Sequence, residues 1–432
     1  MSSVSPVEIK PKEPEIVAPP PLPSPTAPID INDLCSDMIT KIEKFGTIEG
    51  FSDEHLMEIL KKVTSIMEPL PAFVEVQAPV VVFGDLHGQL ADFLHYTKII
   101  GRPPRYQFLL LGDYADRSSH SLELIFWLFC TKIQYPTSVH MLRGNHEIRR
   151  VNSIYGMYEE ICRKRDLSLF KLINDVFAEM PVIAAINRKI LCMHGGMSPK
   201  IDSWKSLEEL KKPRAQGECE TQPYVELLWA DPNAEVEEFA FNRNRGIGSF
   251  YGKATVEKMC DLLDIEMIIR GHEVKMKGHQ FQFSNRLLTL FSAPYYSANY
   301  PNLGSCAKIS KNLKLQIVTL KPKVAYETQK KEKEAAMAKV NSFDPKAEDQ
   351  SEGCRSYMSP TSQNGGGGVT YGTRMFAHES RNCSTATIQN NKLEFVSLSS
   401  LHDILKKVEI DRREVKQQNS EQFCTVAADS KE

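Results

Sequence analysis

Five short stretches of this chain place Asp, Asn, His and Arg beside glycine. They are Gly84-Asp85-Leu86-His87-Gly88, Gly112-Asp113-Tyr114-Ala115-Asp116-Arg117, Arg143-Gly144-Asn145-His146-Glu147, His194-Gly195-Gly196 and Arg270-Gly271-His272-Glu273. Taken singly, each reads as turn chemistry, because Gly-Asp is common in turns and Asn-His commonly caps a helix. Taken together they form a set of carboxylate, amide and imidazole groups without thiolate, a donor set that suits Mn, Fe or Zn. Two such cations bridged by one carboxylate would lower the pKa of a trapped water until hydroxide exists near neutrality, in line with a bound phosphorus. Phosphate-monoester hydrolysis needs such help, being among the slowest uncatalysed reactions. The remaining requirements are cationic donors for the phosphoryl oxygens and a proton for the departing alkoxide. Arg117 and His146 stand beside the candidate ligands and fit those roles.

Each of these stretches follows an apolar run that must position it. The runs Pro79–Phe83, Tyr106–Leu111, Ser138–Leu142, Lys189–Met193 and Glu266–Ile269 read as buried strands, with a further strand at Leu287–Phe291. Leu90–Ile100 and Ser121–Ile133 read as helices between them. Strands alternating with helices imply an α/β fold around a packed central sheet. Ligands in such folds bind at the carboxyl ends of strands, so the five loops are expected to converge on one crevice.

The totals bound the remaining choices. A chain of 432 residues holds one large or two modest domains, and 41% hydrophobic with 25% charged residues is ordinary soluble composition. A formal net charge of -2 supplies no basic field, so neither nucleic acid nor an anionic membrane is expected as a partner. The ten cysteines form no C-x-x-C pair, and no apolar run approaches a membrane span. A cytoplasmic or nuclear location with reduced thiols is expected. Residues 1–29 form a Pro-rich tail containing PPPLPSPTAP, expected to be disordered, with SH3-like or WW-like docking as its alternative use. Residues 30–322 have globular texture and form the expected catalytic domain. Residues 323–432 read as a mostly disordered low-complexity tail containing Gly365-Gly366-Gly367-Gly368. Within it, 400–410 reads either as a short docking or autoinhibitory helix or as a weakly ordered segment without function.

In that order along the chain, GDLHGQ, GDYADRS, RGNHE, HGG, RGHE and LFSAPYY closely resemble the signatures of the PPP family of metal-dependent serine/threonine protein phosphatases. The flanking NSIYGMYEE, LLWADP and RNRGIGSFYG look most like the type 1 catalytic subunit, and the resemblance covers about two-thirds of the chain, residues 32–322. The fold it implies is a central β-sandwich of mixed sheets flanked by helices, the calcineurin-like metallophosphoesterase fold. The cofactors it implies are two divalent metal ions, Mn²⁺ foremost with Fe or Zn as alternatives. Asp85 and His87 would hold the first metal, Asp113 would bridge both, and Asn145, His194 and His272 would complete the second. His146 would be the general acid, oriented by Asp116. Arg117 and Arg245 would clamp the phosphate, and Tyr296 would line the cleft. Implied partners are phosphoprotein substrates and regulators carrying a short R-V-x-F sequence. Those would dock in a groove at Ile190, Met267, Phe281, Leu313, Leu315 and Ile317, which read equally well as alternating core residues of edge strands.

Several residues depart from the family pattern. Ser118 replaces a glycine, Tyr295 an asparagine, and Ser297 a cysteine found in many relatives. Met276 and Lys277 stand where relatives carry acidic residues rimming the regulator groove, which implies a changed partner set. Two other functions share the ligand set: hydrolysis of a nucleotide or other small phosphate ester, and a catalytically silent scaffold.

Overall fold

Short apolar strands meet face to face as two mixed sheets in the computed structural model, which describes residues 30–297 and 300–322. One sheet has the order Phe73–Val76, Ile183–Ile186, Ile190–Met193, Met267–Arg270, Leu287–Leu290, His279–Gln282. The other runs Leu315–Leu320, Gly304–Ile309, Val80–Phe83, Gln107–Leu110, Val139–Met141. In each sheet the central strands that lead to the chemistry are parallel. Val80–Phe83 pairs parallel with Gln107–Leu110, and Ile190–Met193 with Met267–Arg270. An antiparallel pair closes one edge of each sheet, and the opposite edge strands, Phe73–Val76 and Val139–Met141, pair parallel.

Alternation along each strand explains the layers. Val80, Val82, Leu109 and Leu111 point between the sheets, against Cys192, Ile269, Leu288 and Leu290. Val81, Phe83, Phe108 and Leu110 point outward into helices that include Leu90–Ile100 and Ser121–Gln134. On the other outer face, Leu191, Met193 and Ile268 pack with residues of the helix Lys253–Leu263. Strands covered on both faces read as unbroken apolar runs, which is why VVVF, QFLL and ILCM stood out in the sequence. Each fully buried side chain of this kind contributes about 1.5–3 kcal/mol.

The expected β-sandwich of mixed sheets is therefore present. The expected strands are present with ends that differ by one residue: Pro79 and Lys189 fall outside their strands, and Met267–Arg270 begins and ends one residue later than expected. The helices Ile31–Phe45 and Asp53–Met67 were not anticipated, although Asp30 and Ser52 cap them. Nor were the strands Phe73–Val76, Ile183–Ile186 and Gly304–Ile309, whereas Phe281, Leu315 and Ile317 do lie on edge strands, His279–Gln282 and Leu315–Leu320, as one reading of them had it. Ile183–Ile186 (IAAI) carries little local strand signal, and its place is set by pairing with Phe73–Val76 and Ile190–Met193. A small third sheet joins Asp231–Pro232, Ser249–Tyr251 and Phe239–Phe241.

Of the six expected groove residues, Ile190, Met267, Leu315 and Ile317 are buried between the sheets, and Phe281 and Leu313 pack partly buried against them. No helix of the described residues is long and apolar enough to cross a membrane. The readings placed on 1–29 and 323–432, including 400–410, lie outside the described residues.

Candidate metal centre and active site

The chemistry-bearing loops begin where the strands end. Val80–Phe83 leads to Asp85, Gln107–Leu110 to Asp113, Val139–Met141 to Asn145, Ile190–Met193 to His194, and Met267–Arg270 to His272. Backbone bonds knit the first two loops together: Leu86 and His87 N–H donate to Asp113 O at 3.0 and 2.9 Å, and Gly88 N–H to Tyr114 O at 2.7 Å. His87, Asp113, Asp116, Arg117 and His272 all have φ between 44° and 71°. Such left-handed backbone costs a non-glycine residue on the order of 1 kcal/mol or more and clusters where function holds it. Gly112 is needed for closeness as well as for its φ of 107°: a Cβ there would lie 2.4 Å from Gly144 N, so the loops carrying Asp113 and Asn145 pass backbone to backbone.

Hydrogen bonds fix the imidazole tautomers. His194 Nδ1 lies 3.0 Å from Leu111 O, which can only accept, so Nδ1 carries the hydrogen and Nε2 presents a lone pair. That lone pair faces Asn145 Oδ1 at 2.8 Å, Asp113 Oδ1 at 3.2 Å and His272 Nδ1 at 3.1 Å. In the same way His87 Nδ1 donates to Ala115 O at 2.8 Å. Its Nε2 is thereby aimed at Asp85 Oδ2 and Asp113 Oδ2, each 3.7 Å away. Lone pairs converging on lone pairs repel unless positive charge lies among them. Two groups are close enough to share a cation, His87 with Asp113 and His146, and Asp113 with His194 and His272, each with its donor atoms within 4.8 Å of one another. Asp113 belongs to both. These residues fit metal ions.

The electrostatics agree. Burial, then the charge of His146, lowers His87 to about 3, and His272 is held well below its ordinary value by burial and Arg245. Both are neutral, as ligands must be. Burial, reinforced by Asp113, pushes Asp85 up to about 6. Burial opposes ionisation of Asp113 too, but His194 and His146 hold it well below the usual carboxylate range. His194 is the exception among the candidate ligand imidazoles: burial would depress it, yet Asp113 raises it overall. A proton on His194 and a cation beside it are alternative sources of the positive charge these acceptors require.

His146 is built differently. Its Nδ1 lies 2.5 Å from Asp116 Oδ2, and Asp116 Oδ1 accepts the Met157 N–H at 2.8 Å. Burial would depress His146, but Asp113 and the Asp116 hydrogen bond raise it overall, which favours the imidazolium. The Arg117 guanidinium stacks 4.1 Å from the Tyr155 ring centroid, and its buried Nε has no hydrogen-bond partner among the described residues. Arg245 is forked onto Asp231 and donates from Nη2 to His272 O at 3.2 Å. The Tyr296 ring lies 5.0 Å from the His87 ring, and burial raises its phenol to about 12, so it stays a donor. Every site residue expected from the sequence is thus found in or beside one crevice.

The departures from the family pattern are accommodated. Ser118 Oγ donates to His87 O at 2.7 Å, tying the Arg117 loop to a metal-ligand loop. Tyr295 is buried with φ 48°, and its N–H donates to Asn302 O at 2.7 Å. The Ser297 hydroxyl is buried and has no hydrogen-bond partner among the described residues.

Three supporting residues escaped the sequence reading. The Glu147 carboxylate is buried and accepts the N–H groups of Asp113, Tyr114 and Gly144 at 2.7, 2.9 and 2.8 Å. Asp231 holds Arg245 and also Arg270, at 3.0 Å. Arg270, fully buried, donates to Gly195 O at 2.6 Å and Ala230 O at 2.8 Å. Glu147 and Arg270 lie within the ligand-bearing stretches themselves, which was the available signal.

Comparison with known proteins places this crevice in a family. Residues 78–276 match the calcineurin-like phosphoesterase family. The chain is 52% identical over 356 residues to a Caenorhabditis elegans protein provisionally named a serine/threonine-protein phosphatase, spanning 82% of this chain and 78% of that relative. It is 36% identical over 299 residues to the Caenorhabditis elegans serine/threonine-protein phosphatase PP1-delta, spanning 69% of this chain and 97% of that one. A solved Saccharomyces cerevisiae protein serine/threonine phosphatase with similarity to human phosphatase PP5 superposes with a TM-score of 0.62 at 27% identity, covering 67% of this chain and 97% of that chain. On the lone pairs gathered around Asp113 and on these relatives together, the chain belongs to the PPP family of metal-dependent serine/threonine protein phosphatases.

Proposed function

We propose that the chain hydrolyses phosphoserine and phosphothreonine in proteins, using two divalent cations. Asp85, His87 and Asp113 would hold one of them, and Asp113, Asn145, His194 and His272 would hold the other. The observation that carries this reading is the His194 Nε2, turned by Leu111 O onto the acceptors Asn145 Oδ1 and Asp113 Oδ1 with His272 Nδ1 beside them. The carboxylate, amide and imidazole donors suit Mn²⁺, with Fe or Zn as alternatives. When bound, the cations supply Lewis acidity toward the phosphoryl group and a nucleophilic water at neutral pH.

The chain's own residues do the rest. Arg117 and Arg245 clamp the phosphoryl oxygens, each held in place by another group, Tyr155 and Asp231 respectively. Tyr296 closes the cleft above His87. His146 delivers its Nε2 proton to the leaving serine or threonine oxygen as the P–O bond breaks, so the product departs as a neutral alcohol. Asp116 keeps hold of the Nδ1 hydrogen, fixing the ring and favouring the imidazolium before transfer. A silent scaffold would require neither this proton donor nor the residues that hold it. Regulator docking remains a family-based proposal centred on Phe281 and Leu313, the two groove residues not fully inside the core.

The test is turnover of a phosphoserine peptide, a phosphotyrosine peptide and a dinucleoside polyphosphate at saturating Mn²⁺. Preference for the phosphoserine peptide is expected. Preference for the nucleotide would reassign the substrate, and no turnover of any of them would leave the scaffold reading.

A further inference from the structure

The strands that end at the metal centre begin at a second concavity. A cavity of about 510 Å³ is lined by apolar groups such as Pro79, Val81 and the Tyr106 ring and by Lys308, Lys311 and Lys314. Val80 opens the strand whose far end leads to Asp85, so the cavity lies about 13 Å or more from the crevice at roughly 3.3 Å per residue. The positive groups are concentrated. Lys308 Nζ lies 5.0 Å from the Tyr106 ring centroid, and the Arg105 guanidinium lies 5.5 Å from the same centroid. Among the described residues, no Asp or Glu lines the cavity. Among the described residues none of the three lysines has an ion-pair partner. Such a grouping is not a consequence of overall composition, since the whole chain carries a net charge of -2. Like charges around a shared hollow repel, and a ligand bringing carboxylates would relieve that repulsion.

We propose that this cavity is a docking site for an acidic linear segment of a phosphoprotein substrate, with one aliphatic or aromatic side chain anchored on the apolar lining. The apolar lining favours a peptide over a nucleic acid. So does the modest number of cations, because nucleic-acid affinity is built on roughly 6–10 phosphate contacts. The distance from the crevice allows the same substrate to occupy both places. Tethering at this site raises the effective concentration of the phosphoserine at the metals without touching the chemistry. The recruitment role rests on the phosphatase reading; binding of the segment does not.

The test uses the full-length protein and an unphosphorylated peptide rich in Asp and Glu with a single Leu. Its controls are the same peptide with Gln for each acid and a single-stranded oligonucleotide of equal charge. Fluorescence anisotropy should show the acidic peptide binding more tightly than either control. The double variant Lys311→Glu, Lys314→Glu should weaken that binding about tenfold, and Lys314→Arg should leave it intact. A phosphoserine peptide extended by the acidic segment should show a lower KM than the unextended one, with unchanged kcat, and the double variant should abolish the difference. Equal affinity for the Gln peptide, tighter binding of the oligonucleotide, or no effect of the double variant would each overturn the proposal. Absence of turnover on both phosphopeptides would overturn the phosphatase reading instead, leaving the anisotropy result to stand by itself.

Discussion

His146 and Asp116 carry the most specific chemistry and the sharpest predictions. His146→Asn removes the proton donor while leaving the six proposed metal ligands in place. Turnover of a phosphoserine peptide is expected to fall about 10²–10⁴-fold, with metal content by elemental analysis unchanged. A rate near that of the unmodified protein would remove His146 from the mechanism. The pH dependence has a definite sign. His146 is raised above its ordinary value and acts as an acid, so kcat/KM falls as pH rises through its folded pKa. Asp116→Asn deletes one of the two anions that hold it up, so the alkaline limb should move to lower pH in a pH–rate profile with metals saturating. A limb that stays in place would mean that Asp116 does not tune the acid. His146 was legible because it follows Gly144-Asn145 just past a strand end, and Asp116 through the resemblance of GDYADRS to a family signature. Glu147 and Asp231 were not, because they bind backbone N–H groups and arginines, and only three-dimensional proximity shows that.

Strands and loops act as units, and here the parallel strands matter most. Their alignment sets out five loop starts along one rim, and left-handed residues then turn the ligands inward. Glu147 is the buttress of that rim, joining the loops of Asp113 and Gly144 through three N–H groups. Burial, with the Asp113 charge beside it, pushes its carboxyl up to about 7. Glu147→Gln would turn an amide N–H toward N–H donors. We expect a loss of about 2 kcal/mol in urea denaturation together with weaker metal binding; finding neither would reduce Glu147 to a spectator. Element by element, Leu90–Ile100 was read from the sequence to the residue, while the cap-bearing helices Ile31–Phe45 and Asp53–Met67 were passed over. A capped amphipathic helix that supports the sheet from outside carries no chemical signal. Ile183–Ile186 is a strand because its neighbours make it one, and local sequence does not record that.

Across the whole molecule, the crevice forms only when the two sheets are packed together: the His272 N–H bonds Asp85 Oδ1 at 2.7 Å across 187 residues of sequence. Cations held between loops of both sheets would therefore bind the folded chain and not the unfolded one. Metal should stabilise the fold by about 2.7 kcal/mol at a hundredfold excess over Kd. Chelation should lower the thermal midpoint, and Asp113→Asn should shrink that metal-dependent difference; equal midpoints with and without chelator would separate folding from metal. The central claim is that Asp113 joins two cations into one hydrolytic centre. Its most direct test is phosphoserine-peptide turnover followed against metal bound per chain, for the unmodified protein and for Asp113→Asn. The account predicts that full turnover appears only as the second equivalent binds, and that Asp113→Asn loses metal and turnover together. Full turnover with one equivalent or none, or an Asp113→Asn protein that keeps both, would contradict it.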